Sequence, residues 1–360
     1  MAGLAFHPLK VASVERVAED GTCVTLEIPA ALRETFAHHA GQYVTVRRTI
    51  NERTEQRTYS IVTAPGASVL KLGIRLQAGG RVSGDIAGNL RAGDTLEVGT
   101  PMGRFRTAID PARRFSYVAF AAGSGITPIL SLATDILARE PSSRFTLIYG
   151  NRSIARTMFL EETLALKNRY LDRVSLHFVM SREPQQTDLL NGRIDGNKVV
   201  ELAKHIADIR SADEYLICGP GDMVDEVRHA IQGWNGSAVM RFERFAAANS
   251  RPLEILIRES AAAQQEVLAM ISVVMDGRRR SFPMAPSDAS VLQAAERAGL
   301  DLPFSCRSGI CATCRTRIIE GAADMTHNIA LERWETDAGF VLCCQARPTT
   351  PTLVISYDQK

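Results

Sequence analysis

The positions of seven cysteines constrain the fold of this 360-residue chain more than any other feature. Five of them lie between Cys306 and Cys344, while Cys23 and Cys218 stand far upstream. A disulfide scaffold would place an even number of cysteines along a short secreted chain. An odd set clustered near one end of a long chain indicates metal ligation or redox chemistry instead.

Three clustered cysteines, Cys306, Cys311 and Cys314, have the spacing C-x4-C-x2-C in the string CRSGICATC. With a more distant fourth cysteine, this spacing is that of plant-type [2Fe–2S] ligands. Zinc is disfavoured because it prefers paired CxxC knuckles. A thioredoxin-like redox pair is disfavoured because this CxxC does not open a helix in a βαβ unit. The pattern therefore favours a [2Fe–2S] cluster, with either Cys343 or Cys344 as the fourth ligand.

Residues 267–360 resemble a plant-type ferredoxin domain of the β-grasp fold, with the cysteine loop, a helix and a final strand Phe340–Leu342 in family order. Twenty-nine residues separate Cys314 from Cys344, so the resemblance implies that Cys344 is the fourth ligand and Cys343 a neighbouring core thiol. Charge is a departure: residues 265–360 contain 10 Lys and Arg against 11 Asp and Glu, whereas free ferredoxins are typically strongly acidic. A tethered domain needs less long-range steering.

The remaining composition excludes several classes of function. The 42 Lys and Arg against 40 Asp and Glu give a formal charge of +2, which indicates neither nucleic acid nor an anionic membrane as the main partner. No stretch approaches the ~20 apolar residues of a membrane span. The first thirty residues lack a secretory apolar run. We therefore expect a soluble, cytoplasmic protein whose thiols stay reduced.

Residues 1–108 are predicted to form an antiparallel β-barrel, because short runs rich in Val, Ile, Leu and Thr alternate with turn signals. One helix is expected near Ser83–Leu90. The expected strands are Leu9–Val17, Cys23–Ile28, Tyr43–Arg48, Tyr59–Val62, Leu70–Arg75 and Thr95–Val98.

Residues 109–248 are predicted to form a doubly wound α/β domain with a parallel sheet, since continuous apolar runs alternate with helical segments. The expected strands are Phe115–Ala121, Phe145–Tyr149, Val174–Met180 and Glu214–Cys218, and the expected helices are Pro128–Arg139, Phe159–Lys167 and Met223–Trp234. Residues 249–266 are predicted to be a linker, because the region is rich in Ala, Ser and Gln without a clear period. A hairpin around Asp276-Gly277 and a helix at Ser290–Gly299 then open the third domain.

The barrel carries the motif Arg57-Thr58-Tyr59-Ser60, followed about twenty residues later by Gly80-Arg81-Val82-Ser83. A glycine turn that leads into a helix offers backbone N–H groups to phosphate. Together the two motifs resemble those of the ferredoxin–NADP reductase superfamily. That resemblance implies that Arg57 and the Gly80–Ser83 turn bind the FAD pyrophosphate, that Tyr59 stacks on the isoalloxazine, and that Ser60 lies near its N5.

The α/β domain carries two further motifs, each directly after a predicted strand. The first runs from Gly123 through Gly125 and Thr127 to Pro128, a GxGxxP variant that suits a nucleotide pyrophosphate. The second is Cys218-Gly219-Pro220, which resembles the nicotinamide-side motif of the same superfamily. Cys218 would then lie near the site of hydride transfer; without the resemblance, it would be interpreted as a small buried hydrophobic residue.

Arg152 and Arg182 each follow a predicted strand, where two guanidinium groups could clamp the 2′-phosphate of NADPH. Asn151, rather than an acidic residue, follows Gly150, so no carboxylate is placed there to accept a ribose 2′-hydroxyl. NADPH is therefore favoured over NADH, although either arginine could be an ordinary surface residue.

The domain order FAD, NAD(P), ferredoxin resembles that of reductase components of multicomponent oxygenases and implies an electron path from NAD(P)H to an oxygenase partner. Three segments, Phe6–Leu9, Ser181–Pro184 and Asn191–Asp195, most resemble the family of phenylacetyl-CoA epoxidase reductases. Reductases of other aromatic-ring or steroid hydroxylases share this layout and could use NADH. The sequence is also compatible with two alternatives: a reductase of quinones or dyes, and a zinc-stabilised nucleotide sensor without turnover.

Overall fold

The computed structural model describes residues 5–245, 267–275, 277–300 and 302–359. Contacts between Cα atoms divide the chain into two compact units, one comprising Phe6–Glu55 and Tyr59–Phe245 and the other containing the C-terminal region together with Gln56–Thr58. The predicted linker 249–266 lies outside the described residues. Within the described ranges, no helix is long and apolar enough to cross a membrane.

The first sheet belongs to the N-terminal barrel. It comprises β1 (Phe6–Ala18), β2 (Gly21–Glu27), β3 (Tyr43–Ile50), β4 (Arg53–Ser60), β5 (Val69–Arg75) and β6 (Thr95–Gly99), with helix α1 (Arg81–Asn89). The strand order is β4-β3-β6-β1-β2-β5, and the pairs from β3 to β5 are antiparallel. An antiparallel bridge between Ile61, just after β4, and Leu72 of β5 joins the two edges. The sheet therefore closes around fully buried side chains such as Leu9 and Val24.

The second sheet is parallel. It comprises β7 (Ser116–Ala122), β8 (Arg144–Asn151), β9 (Val174–Met180), β10 (Glu214–Pro220) and β11 (Val239–Phe245), with helices α2 (Ile126–Arg139), α3 (Leu160–Arg169), α4 (Gly196–His205) and α5 (Gly221–Gln232). The order β11-β10-β7-β8-β9 reverses direction between β7 and β10. Ligands of such sheets bind in the crevice at the carboxyl ends of the strands that flank this switch point.

The third sheet forms the C-terminal domain. Its strands are β12 (Ala269–Met275), β13 (Arg278–Met284), β14 (Arg315–Glu320), β16 (Phe340–Leu342) and β18 (Thr352–Ser356); β15 (Ala323–Met325) pairs with β17 (Ala346–Pro348), and the helices are α6 (Val291–Arg297) and α7 (Arg333–Asp337). The order is β13-β12-β18-β14-β16, with β12 and β18 parallel. This mixed sheet packed with α6 is the expected β-grasp arrangement.

Several expected boundaries differ from the structure. The expectation that Phe340–Leu342 is the final strand was wrong, because β17 and β18 follow it and β18 lies in the middle of the sheet. Pro348 and Pro351 made this segment resemble a loop. The strand expected at Tyr59–Val62 instead begins at Arg53, within a polar stretch that lacks strand composition. Helix α4 and strand β11 were not predicted.

Candidate functional site

Two predicted motifs of the α/β domain meet at the crevice between β7 and β10. Gly123–Gly125 forms a short 3₁₀ turn directly after β7, and α2 begins at Ile126. A Cβ atom on Gly125 would lie 2.2 Å from the carbonyl oxygen of Cys218. Only glycine permits this close approach, so the turn lies directly against the end of β10.

The first turn of α2 offers an anion-binding end to this crevice. Thr127 is buried, and its hydroxyl donates to the Ser124 carbonyl at 2.9 Å. This hydrogen bond holds the turn in place without the help of a charged side chain. Pro128 is buried beside it. Unpaired N–H groups at a helix N-terminus bind phosphate oxygens, as the sequence predicted for this turn.

Arg75 is a residue that the sequence analysis missed. It ends β5 of the barrel, and its Nη1 lies 2.2 Å from where a Cβ on Gly123 would stand. Its Nη2 is 3.0 Å from Asp20 Oδ1, so the guanidinium is held in place. A cation from the barrel thus faces the glycine turn of the α/β domain. Nothing in the sequence around Arg75 signals this role, because only the packing of the two domains produces it.

A second missed residue, Glu243, lies where the two domains approach each other. It pairs in register with Cys218 across β10 and β11. Other atoms of Glu243 retain some exposure, but Oε2 is buried and has no hydrogen-bond partner among the described residues. Burial raises the pKa of Glu243 to about 8, and a hydrogen bond with the Ser60 side chain partly opposes this rise. The carboxyl is therefore protonated at neutral pH.

Ser60 and Cys218, the predicted reaction-site residues, are thus brought together through Glu243. Ser60 ends β4 and is 5% exposed, while Cys218 is fully buried. Burial, and next the nearby Glu243, raise the pKa of Cys218 well above its ordinary value, so the thiol stays neutral. The arrangement places an alcohol, a thiol and a protonated carboxyl next to one another at the crevice. Such a site can hold or move a proton without introducing charge.

The structure places Arg57, Thr58 and Tyr59 on β4, immediately before Ser60. Arg57 donates from Nη1 to the Gln56 carbonyl at 2.7 Å. The ring of Tyr59 is partly buried against the barrel core.

The predicted phosphate turn stands at the start of α1. Gly80 is its N-cap, and the Ser83 hydroxyl accepts from the backbone N–H of Gln77 at 3.1 Å. Arg81 pairs with Glu55 at 3.0 Å, and Val82 is buried in the barrel core. The side chains of these last two residues thus support the turn, while its backbone N–H groups suit a phosphate.

Arg152 and Arg182 lie just beyond β8 and β9, and the Arg182 backbone N–H donates to the Arg152 carbonyl at 2.9 Å. Both side chains are exposed. The pKa of Arg152 is lowered first by burial of part of its side chain and then by Arg182, Arg156 and Arg75. Crowding of positive charge at the edge of the crevice favours an anionic ligand such as a phosphate.

Four of the five clustered cysteines form two pairs in the C-terminal domain. The Cys306 N–H approaches Cys311 Sγ at 3.5 Å, and the Cys344 N–H approaches Cys314 Sγ at 3.5 Å. Within the described residues, no three Cys, His, Asp or Glu side chains are arranged to hold a single metal ion. A binuclear cluster takes two thiolates on each iron, and the two pairs meet that requirement.

The cysteine loop is shaped to present N–H groups to sulfur. Ser308, Ile310 and Cys311 direct their backbone N–H groups at Cys306 Sγ, at 3.4, 3.4 and 3.3 Å. Left-handed backbone at Arg307, Gly309 and Ala312 produces this curvature. Hydrogen bonds of this kind stabilise the negative charge that a thiolate-bound cluster carries.

Cys343 lies in the core instead. It is fully buried, and burial raises the pKa of its thiol to about 12, although the nearby Tyr357 side chain acts to lower it. Gln345 directly follows Cys344 and was not predicted from the sequence as a site residue. It is 2% exposed and donates from Nε2 to the Arg307 carbonyl at 2.8 Å, with Cys344 Sγ at 3.6 Å. Gln345 therefore ties the cysteine loop to the segment that carries the predicted fourth ligand.

Comparison with known proteins gives three family matches in chain order. An oxidoreductase FAD-binding domain matches residues 8–107, an oxidoreductase NAD-binding domain matches residues 120–229, and a 2Fe-2S iron-sulfur cluster binding domain matches residues 273–349. These matches confirm the predicted cofactors: FAD, a nicotinamide nucleotide and a [2Fe–2S] cluster. They also confirm the predicted fold class of barrel, doubly wound α/β domain and β-grasp domain.

Several known proteins resemble this chain over nearly its whole length. A 1,2-phenylacetyl-CoA epoxidase subunit from Escherichia coli (strain K12) is 36% identical over 99% of this chain and 98% of its own length. The ferredoxin reductase component of 3-ketosteroid-9-alpha-monooxygenase from Rhodococcus rhodochrous is 29% identical over 97% and 96%. The solved structure of phthalate dioxygenase reductase has the same fold, with a TM-score of 0.59 and 24% identity over 98% of both chains. The chain therefore belongs to the family of oxidoreductases that includes this phenylacetyl-CoA epoxidase component and joins FAD-binding, NAD-binding and [2Fe–2S] domains in one polypeptide.

Proposed function

We propose that this chain is the reductase component of a multicomponent oxygenase and passes electrons from NADPH to the oxygenase component of a phenylacetyl-CoA epoxidase. FAD accepts a hydride and can release electrons singly, and a [2Fe–2S] cluster carries one electron at a time. The full-length relationship to the Escherichia coli phenylacetyl-CoA epoxidase component supports this choice of partner. The electron path within the chain is supported by one observation, which is that Ser60, Cys218 and Glu243 lie together at the crevice.

At the flavin site, Arg57 and the N–H groups of the Gly80–Ser83 turn would hold the FAD pyrophosphate. Thr58 would contribute backbone contacts, and Tyr59 would stack on the flavin ring. Ser60 and Glu243 would keep a proton at the edge of the ring and exclude bulk water, since the Glu243 carboxyl is neutral at pH 7.

At the nicotinamide site, the glycine turn would hold the nucleotide pyrophosphate, and Arg75 would neutralise part of its charge. Cys218, Gly219 and Pro220 would line the place where the nicotinamide meets the flavin. Arg152 and Arg182 would bind the 2′-phosphate and so select NADPH over NADH. The residues proposed for the glycine turn are Gly123, Gly125, Thr127 and Pro128.

In the C-terminal domain, Cys306, Cys311, Cys314 and Cys344 would be the four cluster ligands. None of the seven cysteines forms a disulfide. Cluster ligation requires reduced cysteines, which suits a reducing compartment, so we place the protein in the cytoplasm.

The test is reconstitution. With the purified oxygenase component of a phenylacetyl-CoA epoxidase, the chain should support NADPH-dependent epoxidation of phenylacetyl-CoA. Rapid reduction of ferricyanide without epoxidation would instead indicate a reductase for another oxygenase or for quinones. Turnover with the 3-ketosteroid 9α-hydroxylase component alone would point to steroid substrates, as the second relative suggests.

A further inference from the structure

We propose that strand β13 docks an acidic face of the oxygenase component through three consecutive arginines, Arg278, Arg279 and Arg280. This inference rests on the proposed function, because the partner is the oxygenase. The three residues begin an edge strand of the C-terminal sheet, where no further strand covers them in the part of the chain that the structure describes.

Within the described ranges of the domain, none of these three arginines forms an ion pair. All three side chains are exposed, and among the described residues no carboxylate pairs with them; Arg279 donates only to the Ser272 hydroxyl, at 3.2 Å. Three other arginines of the domain form close ion pairs instead. These pairs are Arg297–Asp288 at 2.7 Å, Arg307–Glu296 at 2.5 Å and Arg315–Glu335 at 2.8 Å.

The sign of the patch opposes that of its own domain. Without these three residues, the region 265–360 would contain 7 basic residues against 11 acidic ones. The rest of the chain has 32 basic and 29 acidic residues, so its net charge does not attract a positive patch at long range. A positive strand on an otherwise negative domain gives the domain an electric dipole. This dipole would orient the strand towards a negatively charged partner.

The patch also lies at the end of the sheet that is next to the predicted ligand Cys314. Arg278 pairs with Met275, Val274 pairs with Ser356, and Ser356 pairs with Arg317 of β14. Cys314 directly precedes β14. Three strand spacings separate β13 from β14, about 14 Å across the sheet. A partner seated on β13 would therefore also cover the cluster end of the domain.

Charged residues on an edge strand can have another purpose, which is to prevent the strand from pairing with other chains. Edge protection and docking can be distinguished, because the arginines lie on the two opposite faces of the strand. Arg278 and Arg280 point to the same side as buried Phe282, while Arg279 points to the opposite side with Ser272. Protection of the edge requires only charge on the strand, whereas docking requires charge on the face that meets the partner.

The experiment compares the full-length, cofactor-loaded variants R278Q/R280Q, R279Q and the charge-preserving R278K/R280K. R333Q is the control, since the Arg333 side chain on α7 is 95% exposed. Epoxidation is measured against the concentration of phenylacetyl-CoA epoxidase oxygenase component, at low and at moderate salt. Ferricyanide reduction reports the electron path within the chain, and light scattering reports self-association.

We expect at least one glutamine variant on β13 to raise the apparent KM for the oxygenase component about tenfold at low salt and to flatten its salt dependence. R278K/R280K and R333Q should leave the KM within twofold of the unaltered protein, and all variants should reduce ferricyanide normally. An unchanged KM in both glutamine variants overturns the proposal, and increased light scattering with an unchanged KM assigns the arginines to edge protection. Failure of the unaltered reductase to support epoxidation overturns the proposed function as well.

Discussion

The replacement Glu243→Gln gives a quantitative test of the site between the barrel and the α/β domain. Burial raises the pKa of Glu243 from an ordinary 4.5 to about 8. At a pH between these two pKa values, the folded chain keeps a proton that the unfolded chain has lost. The free energy of unfolding therefore falls as the pH rises through this range. At pH 7 the cost is about 3 kcal/mol, and it is greatest above pH 8. Glutamine keeps the shape and does not ionise.

The assay follows flavin fluorescence during heating, with FAD in constant excess, because release of flavin reports the unit that contains Glu243. At pH 7 the variant should melt about 6 to 12 °C above the unaltered protein. The difference should shrink towards pH 4.5 and grow towards pH 8. Glu161→Gln on the exposed side of α3 is the matched control and should show no such trend. A Glu243→Gln difference that is independent of pH, or that falls as the pH rises, would refute the reasoning.

Three further predictions concern the cofactor sites. R152Q/R182Q should raise the KM for NADPH by roughly tenfold to a hundredfold and leave the KM for NADH nearly unchanged; equal losses with both nucleotides would contradict a 2′-phosphate site. Gly125→Ala should slow flavin reduction by NADPH at least tenfold with normal flavin content, since its Cβ would stand 2.2 Å from a carbonyl oxygen; an unchanged rate would deny the close packing. Cys344→Ser should lose most cluster iron and its electron paramagnetic resonance signal, whereas Cys343→Ser should keep both; the reverse result would reassign the fourth ligand.

Local patterns were sufficient for much of the fold and for the motifs. The continuous apolar run of β7 reflects burial on both faces of its sheet and predicted that strand. The short runs rich in Val, Ile, Leu and Thr, separated by turn signals, predicted the strands of the barrel. Strand β11 was missed because its sequence, VMRFERF, alternates large side chains with charged ones that find partners only after folding. Helix α4 was missed although Asp195 caps it, accepting from the Lys198 N–H at 2.8 Å.

The parts of the site that the sequence could not predict depend on contacts between distant segments. Arg75 reaches the glycine turn only because β5 packs beside the α/β domain. Glu243 acquires its raised pKa from burial against residues far away in the chain. Gln345 gains a role only where its amide meets the Arg307 carbonyl. The proposed cluster ligands, in contrast, could be chosen from spacing, because three of them lie within one short loop.

The most direct test of the central claim is an anaerobic titration of the purified full-length protein with NADPH, followed by optical and electron paramagnetic resonance spectra. The proposed path predicts bleaching of the flavin absorption and the appearance of the signal of a reduced [2Fe–2S] cluster, with two electrons taken up by the flavin and one by the cluster. Reduction of the flavin without any cluster signal, or a colourless protein that contains zinc, would contradict it.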